Sequence, residues 1–221
     1  MSPTVENPSR PSRSLIDTVA IVSGAGNQGE GVGNGRAISI LLAEDGASVV
    51  CVDRDLEAAQ MTAFMIKKEA KGRAIACCAD VTIDADCAKV VALALKEFGR
   101  VDILVNNVGI IGAKGTALDV DKDAWATGLD INVTSMMLMA KHAIPAILRN
   151  ERDNGGIRGN IVNMGSVAGL QGGTPSLLYP TSKGAVVNMT RAMAAHHAKD
   201  GIRVNCVAPG TVLFPGSLES N

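Results

Sequence analysis

Six short runs of apolar and β-branched residues punctuate the chain, at 18–23, 48–53, 73–79, 101–106, 159–165 and 202–208. Between them lie longer segments whose apolar positions recur with helical spacing, at 36–45, 55–71, 83–98, 121–149 and 177–200. The runs show no alternation of apolar and polar positions. They are therefore expected to be buried on both faces, as strands of a parallel sheet covered by helices. Six strands joined by five helical crossovers predict an α/β fold: a doubly wound parallel sheet with helices on both faces. No internal repeat interrupts this order. The stretch 149–160, with four charges ahead of Gly155-Gly156, reads as a surface loop between a helix and a strand. A tail at 1–15, rich in Pro and Ser, is expected to be flexible, leaving 16–221 as one domain.

Composition narrows the classes. At 221 residues, with 47% apolar and 19% charged side chains, the chain is neither disordered nor fibrous and can bury a full core. Twenty-one Lys and Arg balance 22 Asp and Glu, so no electrostatic argument points to nucleic acid or to an anionic membrane. No apolar stretch has the length of a membrane span, and the N-terminal tail lacks the apolar core of a secretory signal. A cytoplasmic protein is expected. The five cysteines are an odd number in no metal-ligand spacing, so they read as reduced and structural, with no metal site. The sequons at Asn132 and Asn188 carry no weight in that compartment. His196-His197 reads as a solvated helix end, because adjacent helical residues point different ways. Met136, Met137, Met139 and Trp125 read as packing residues, and Lys67, Lys68 and Lys71 as a solvated face.

The first strand is followed by six glycines within residues 24–35, immediately before a helix. Glycines let the backbone approach a pyrophosphate closely, and the helix N-terminus then supplies amide donors and partial positive charge. A literal G-x-G-x-x-G falls at Gly24, Gly26 and Gly29. The second strand ends on Asp53, 18 residues beyond Gly35, where a carboxylate can accept from the adenosine ribose hydroxyls. The same carboxylate repels a 2′-phosphate, so NAD is favoured over NADP. Arg36 and Arg54 are the residues that could reverse that choice. Glu30, a carboxylate in a phosphate loop, is expected to sit on an outward bulge.

The chain has one tyrosine. Tyr179 precedes Lys183 by four residues, which places phenol and ammonium on one helix face. A nearby cation stabilises phenolate, and a phenol so placed can exchange a proton with an alcohol or carbonyl oxygen. Pro180 is tolerated only in a first helical turn, so the helix is expected to start close to Tyr179. Thirteen residues upstream, Ser166 follows a strand, on the side where open α/β sheets bind ligands.

Together these motifs resemble the short-chain dehydrogenase/reductase superfamily, from about residue 17 to Val212, and the resemblance implies a Rossmann-like sheet. Gly33-Asn34-Gly35-Arg36-Ala37 looks like the end of a lengthened cofactor loop, which assigns the three glycine roles to Gly24, Gly33 and Gly35. Asp80-Val81 resembles the pair that contacts adenine. Asn106-Asn107-Val108-Gly109 resembles the Asn-Asn-Ala-Gly motif with Val for Ala, and brings Asn107 and Gly109 to the cofactor. The resemblance implies a tetrad of Asn132, Ser166, Tyr179 and Lys183. In it Asn132 helps hold a water in the proton relay, Ser166 orients the substrate oxygen, and Tyr179 is the acid/base. Lys183 binds the nicotinamide ribose beside Tyr179. Pro209-Gly210 resembles the segment flanking the nicotinamide, with Val212 near its carboxamide. Phe214 stands where the family usually has Thr. Residues 213–221 match neither the family's substrate-covering segment nor its seventh strand, so a C-terminally shortened domain with six strands is expected.

The implied activity is NAD(P)-dependent interconversion of a secondary alcohol and a ketone, in a homodimer or homotetramer built on the two long helices. Two rivals stand beside it. A shortened chain could bind dinucleotide without turnover, leaving the nicotinamide side open to water and the sixth strand an apolar edge. Another doubly wound enzyme, such as a methyltransferase, would use the glycine loop but leaves the Ser166–Tyr179–Lys183 spacing without a role.

Overall fold

A computed structural model of the chain describes residues 12–27, 31–70 and 72–210. The six apolar runs form β1 (Val19–Ser23), β2 (Ser48–Asp53), β3 (Ala74–Cys78), β4 (Ile103–Asn106), β5 (Gly159–Met164) and β6 (Ile202–Val207). All neighbouring strands are parallel, in the order β3-β2-β1-β4-β5-β6. The chain therefore winds outward from β1 to β3, then crosses back to β4 on the other side of β1. At that reversal the segments leaving β1 and β4 diverge, which opens a crevice at the carboxyl ends of the strands. The register pairs Ser23 with both Val52 and Asn106, so the segments after β1, β2 and β4 emerge at one level.

The helices are α1 (Asn34–Glu44), α2 (Leu56–Met65), α3 (Asp84–Phe98), α4 (Lys122–Leu129), α5 (Ser135–Ile147) and α6 (Leu178–His197). Successive strand residues point to opposite faces. Val19, Ile21, Val50 and Val52 pack with Val90, Val91 and Ala94 of α3 and with Met139, Ala143 and Ile147 of α5. Ala20, Val22, Val49 and Cys51 pack with Ala43 of α1, Ala63 of α2 and Ile66. This two-sided burial is why the central strands show no polar alternation.

The sixth strand departs from that expectation. Ile202 and Val204 are buried in the core that Met193 and Ala194 of α6 also join, whereas Arg203 and Asn205 are exposed. One face of β6 is covered and the other meets solvent. The alternation Ile202-Arg203-Val204-Asn205 is the period-two signature of a half-buried strand.

Two helices end in or contain a wider turn. The segment predicted as one helix at 121–149 is α4, a π-helical turn at Asp130–Thr134, and α5; α2 runs likewise into a π turn at Ile66–Ala70. Asp121 caps α4 by accepting from the Ala124 amide at 2.7 Å, and Asp55 caps α2 through the Glu57 and Ala58 amides. Pro180 is the third residue of α6, where its missing N–H leaves no intrahelical bond unmade. No helix among the described residues is long and apolar enough to cross a membrane.

The end of the sheet opposite the crevice is closed by Asp102, which is 7% exposed. Its carboxylate accepts from the Val19 amide at 2.9 Å, from Arg100 Nη2 at 2.7 Å and from Asn150 Nδ2 at 3.2 Å. Asn150 is thus buried, although the sequence places it in a surface loop. Residues 13–15, assigned to the tail by composition, are tied down as well: Arg13 pairs with Asp45, and the Leu15 amide donates to the Asp45 carbonyl. Asp102→Ala strands the buried Val19 amide and removes the partner of Arg100, while Asn150 Nδ2 keeps the Val101 and Arg158 carbonyls. We expect a loss of about 2 kcal/mol and a fall in Tm of about 4–8 °C, read by calorimetry. A change under 1 °C would show that water replaces the carboxylate without penalty.

Candidate active site

At the reversal of strand order lies a cleft of about 450 Å³. Its lining includes Gly24 and Gly26 after β1, Asp53 and Arg54 after β2, Asp80 and Val81 after β3, and Asn107 and Gly109 after β4. The floor is built by close backbone approach. Gly24 adopts φ +66°, and α1 enters so tightly that a Cβ on Gly35 would collide with the Gly24 carbonyl. That carbonyl also accepts from Asn107 Nδ2 at 3.0 Å, which joins the segment after β4 to the glycine loop. Gly33 is the N-cap of α1; neither it nor Gly35 lines the cleft, and Asn132, Ser166, Tyr179 and Lys183 lie outside its lining as well.

Asp53 is fixed at one end of this cleft. Its Oδ2 accepts from the Gly26 amide at 2.9 Å and its Oδ1 from the Asp55 amide at 3.1 Å. Asp80 accepts from the Thr82 hydroxyl at 2.7 Å and the Thr82 amide at 2.9 Å, and these bonds hold its carboxyl below the usual carboxylate range. Val52, Ala79, Val81 and Val108 give the same cleft apolar walls. Arg36 does not reach it. That side chain is 7% exposed and donates from Nε to Thr62 Oγ1 and from Nη1 to the Gly31 carbonyl, both at 3.1 Å. Arg54 stands at the rim, exposed.

The second half of the site is carried by α6. Lys183 Nζ lies 5.9 Å from the centroid of the Tyr179 ring, so the two side chains share a face as their spacing requires. Lys183 is 4% exposed, donates to the Met164 carbonyl at 2.8 Å, and burial pushes its ammonium below the ordinary lysine range. A Cβ on Gly109 would stand 3.0 Å from Lys183 Nζ and 3.5 Å from Asn132 Oδ1, so loop, lysine and asparagine converge there. Asn132, in the π turn, is fully buried; it accepts from the Ile110 amide and donates to the Ile110 carbonyl, both at 2.8 Å. Ser166 follows β5 and caps a short 3₁₀ turn (Val167–Gly169) by accepting from the Ala168 amide at 3.2 Å. Gly169 of that turn lies against the Lys183 backbone too closely for a Cβ, which seats the turn on α6. The Pro209 carbonyl accepts from the Val167 amide at 3.0 Å, drawing the segment after β6 to the same turn. Gly210 is exposed at the end of the described chain. Val212, like Glu30, Lys71 and residues 213–221, lies outside the described residues.

The family model described as short chain dehydrogenase matches residues 18–219. The chain belongs to the short-chain dehydrogenase family. It is 40% identical over 191 residues to 2-(S)-hydroxypropyl-CoM dehydrogenase 3 of Xanthobacter autotrophicus, covering 85% of this chain and 71% of the relative. It is 36% identical over 194 residues to meso-2,3-butanediol dehydrogenase of Serratia marcescens, covering 88% and 71%. Among solved structures, NAD⁺-bound xylitol dehydrogenase superposes with a TM-score of 0.81 at 31% identity, covering 91% of this chain and 73% of that one. As a family member the chain is an oxidoreductase of the NAD(P)-dependent dehydrogenase type.

Within this short-chain dehydrogenase, several residues at the cleft escape the motif reading. Gly26, passed over when the glycine roles were assigned, orients Asp53. Ile110, Thr127, Asp130 and Ile131 line the far wall. Asn106 and Asn163, at the tips of β4 and β5, bond to each other at 2.9 Å, and Asn163 continues to Thr190 of α6 at 3.0 Å. Asn106 is visible in the sequence as the first residue of the Asn-Asn-Val-Gly motif, whereas Asn163 stands one residue before the end of β5, a strand that also holds Asn160. The cysteines are all free. Cys51 is wholly buried, with its thiol pushed up to about 12 by desolvation, and Cys78 is exposed near Arg54. His197 pairs with Asp200 at the end of α6.

Proposed function

We propose that the protein is an NAD-dependent dehydrogenase that interconverts a secondary alcohol and a ketone, with Tyr179 as general acid/base. The observation that carries this reading is the placement of Tyr179 and buried Lys183 on one face of α6, with Lys183 against Gly109 of a cleft that Gly24 also lines.

The residues present fit a dinucleotide. The Gly24–Gly35 approach leaves room for backbone where a side chain would intrude, and the N-terminus of α1 supplies free amides for a pyrophosphate. Asp53, held by two backbone amides, would accept from ribose hydroxyls; Val81 and its apolar neighbours would pack on adenine, with Asp80 beside them. Asn107, Gly109, Pro209 and Gly210 would line the path toward the nicotinamide. When bound, the nicotinamide supplies the hydride acceptor or donor. The chain does the rest. In the oxidising direction the Tyr179 phenolic oxygen takes the hydroxyl proton, Ser166 orients the substrate oxygen, and Lys183 stands beside the Tyr179 ring. Asn132 holds the loop that bounds this space.

NAD over NADP is supported by two placements: Asp53 at the ribose end of the cleft and Arg36 already committed to Thr62 and Gly31. A panel of secondary alcohols is to be assayed for reduced cofactor, with parallel titration of NAD and NADP. We expect turnover with NAD and at least tenfold weaker binding of NADP. Asp53→Ser, which leaves Arg54 at the rim, should narrow that ratio. A dinucleotide-induced rise in Tm without turnover of any alcohol would sink the catalytic part and leave a nucleotide-binding protein.

A further inference from the structure

Ser182 lies between Tyr179 and Lys183 in sequence and has no role in the reading above. It is fully buried. Its hydroxyl donates to the Tyr179 carbonyl at 2.8 Å and accepts from Asn132 Nδ2 at 3.0 Å. We propose that Ser182 is a positioning residue that fixes the side-chain amide of Asn132 and locks the first turn of α6 to the loop after β4.

The direction of every bond in this group is determined by its partners. A backbone carbonyl can only accept, so the Ser182 proton goes to Tyr179 and a lone pair faces Asn132. Ile110 offers one N–H and one carbonyl, and these match Asn132 Oδ1 and Nδ2 in one orientation only. The second hydrogen of Nδ2 then belongs to Ser182. Turning the amide over would set Oδ1 against the Ile110 carbonyl and break all three bonds. Both hydrogens of the asparagine Nδ2 and one lone pair of its Oδ1 are therefore taken, at zero exposure, by one residue from the cleft loop and one from the catalytic helix.

The lock sits where position matters most. Ser182 is three residues after Tyr179 and one before Lys183, and it bonds to the Tyr179 backbone itself. Ile110 directly follows Gly109, the point where Lys183 and Asn132 converge. A shift of α6 relative to this loop would move the phenol and ammonium together against the space in which substrate must bind. The adenosine half of the cleft is held by other bonds, from Asn107 to Gly24 and from Gly26 to Asp53, and does not depend on Ser182.

This inference rests on the dehydrogenase reading for its kinetic consequence but not for the bonds themselves, and the test separates the two. Ser182→Ala, Asn132→Ala and the double variant are compared for Tm without dinucleotide, and Ser182→Ala for kcat and for NAD affinity. We expect the double variant to lose less Tm than the sum of the singles, because each alanine already breaks the shared bond. We expect kcat of Ser182→Ala to fall at least fivefold with the NAD Kd within twofold of wild type. Additive Tm losses, a smaller fall in kcat, or a parallel loss of NAD affinity would each overturn the proposal. If Ser182→Ala does not fold, Ser182→Cys, which is somewhat larger but leaves no cavity and replaces the hydroxyl with a weak donor and acceptor, is put through the same comparison. Absence of turnover in the wild type would count against the dehydrogenase reading, and the Tm cycle would still decide the lock.

Discussion

Tyr179→Phe is expected to lower kcat about 10³-fold, within the range that a positioned acid/base contributes. Phenylalanine keeps the ring, its half-buried seat in the first turn of α6 and its neighbourhood with Lys183, and removes only the hydroxyl. The comparison is therefore clean. NAD affinity should stay within about threefold, since the glycine floor and Asp53 are untouched, and Tm should move little. The effect belongs in the catalytic step. Retention of more than a tenth of wild-type kcat, with any alcohol that is turned over, would remove Tyr179 as the proton-transferring group and with it the mechanism proposed above.

Gly35→Ala is the second large effect, and it acts on the fold and the cleft together. The added methyl group would stand against the Gly24 carbonyl and 2.7 Å from Asn107 Nδ2, neither of which can retreat freely. The carbonyl belongs to a residue at φ +66° directly after β1, and the Asn107 amide is the bond that joins that carbonyl to the segment after β4. Relief requires α1 to move off the sheet. Such overpacking costs about 3 kcal/mol, which for a chain of this size lowers Tm by about 6–12 °C. Dinucleotide affinity should fall more than tenfold, because the helix N-terminus and the glycine floor are displaced as one body. A calorimetric scan and a fluorescence titration check the two parts. A stable variant with wild-type affinity would mean that the approach of α1 to Gly24 is looser than described.

The strands were legible because parallel strands buried on both faces are near-continuously apolar, and β1 and β2 are so apart from Ser23, Ser48 and Asp53 at their ends. The same rule, applied without distinction, misjudged β6, whose Arg203 and Asn205 mark a solvent face. Helix positions were readable to within a few residues from periodicity. The π turn was not, because a single extra residue in a helix leaves almost no trace in a hydrophobic pattern. At the site, Asp53 stood out by its place at a strand end, and Tyr179 with Lys183 by their spacing on a helix that holds the only tyrosine in the chain. Arg36 was ambiguous in sequence: a guanidinium near a phosphate loop has the same composition whether it binds ligand or, as here, ties Gly31 to Thr62. Ser182, and the bond of Gly26 to Asp53 though not its place in the glycine motif, were hidden for a related reason. Each acts through a bond to a residue distant in sequence, and neither residue type at that position distinguishes a lock from an ordinary helix or loop residue.

The π turn at Asp130–Thr134 also limits how the chain can change in length. Each helical residue advances the chain by about 100° around the axis. The extra residue therefore sets the phase of α4 against that of α5. Upstream of the turn, Gly128 lies against Leu178, the neighbour of Tyr179. Downstream, Met139, Ala140 and Ala143 face the sheet. Removing one residue between 130 and 134 would restore an ordinary helix, but then only one of these two contacts could be kept. The helix thus carries a frame, in the sense that a reading frame does: its residue count, as much as its residue types, holds Asn132 in place.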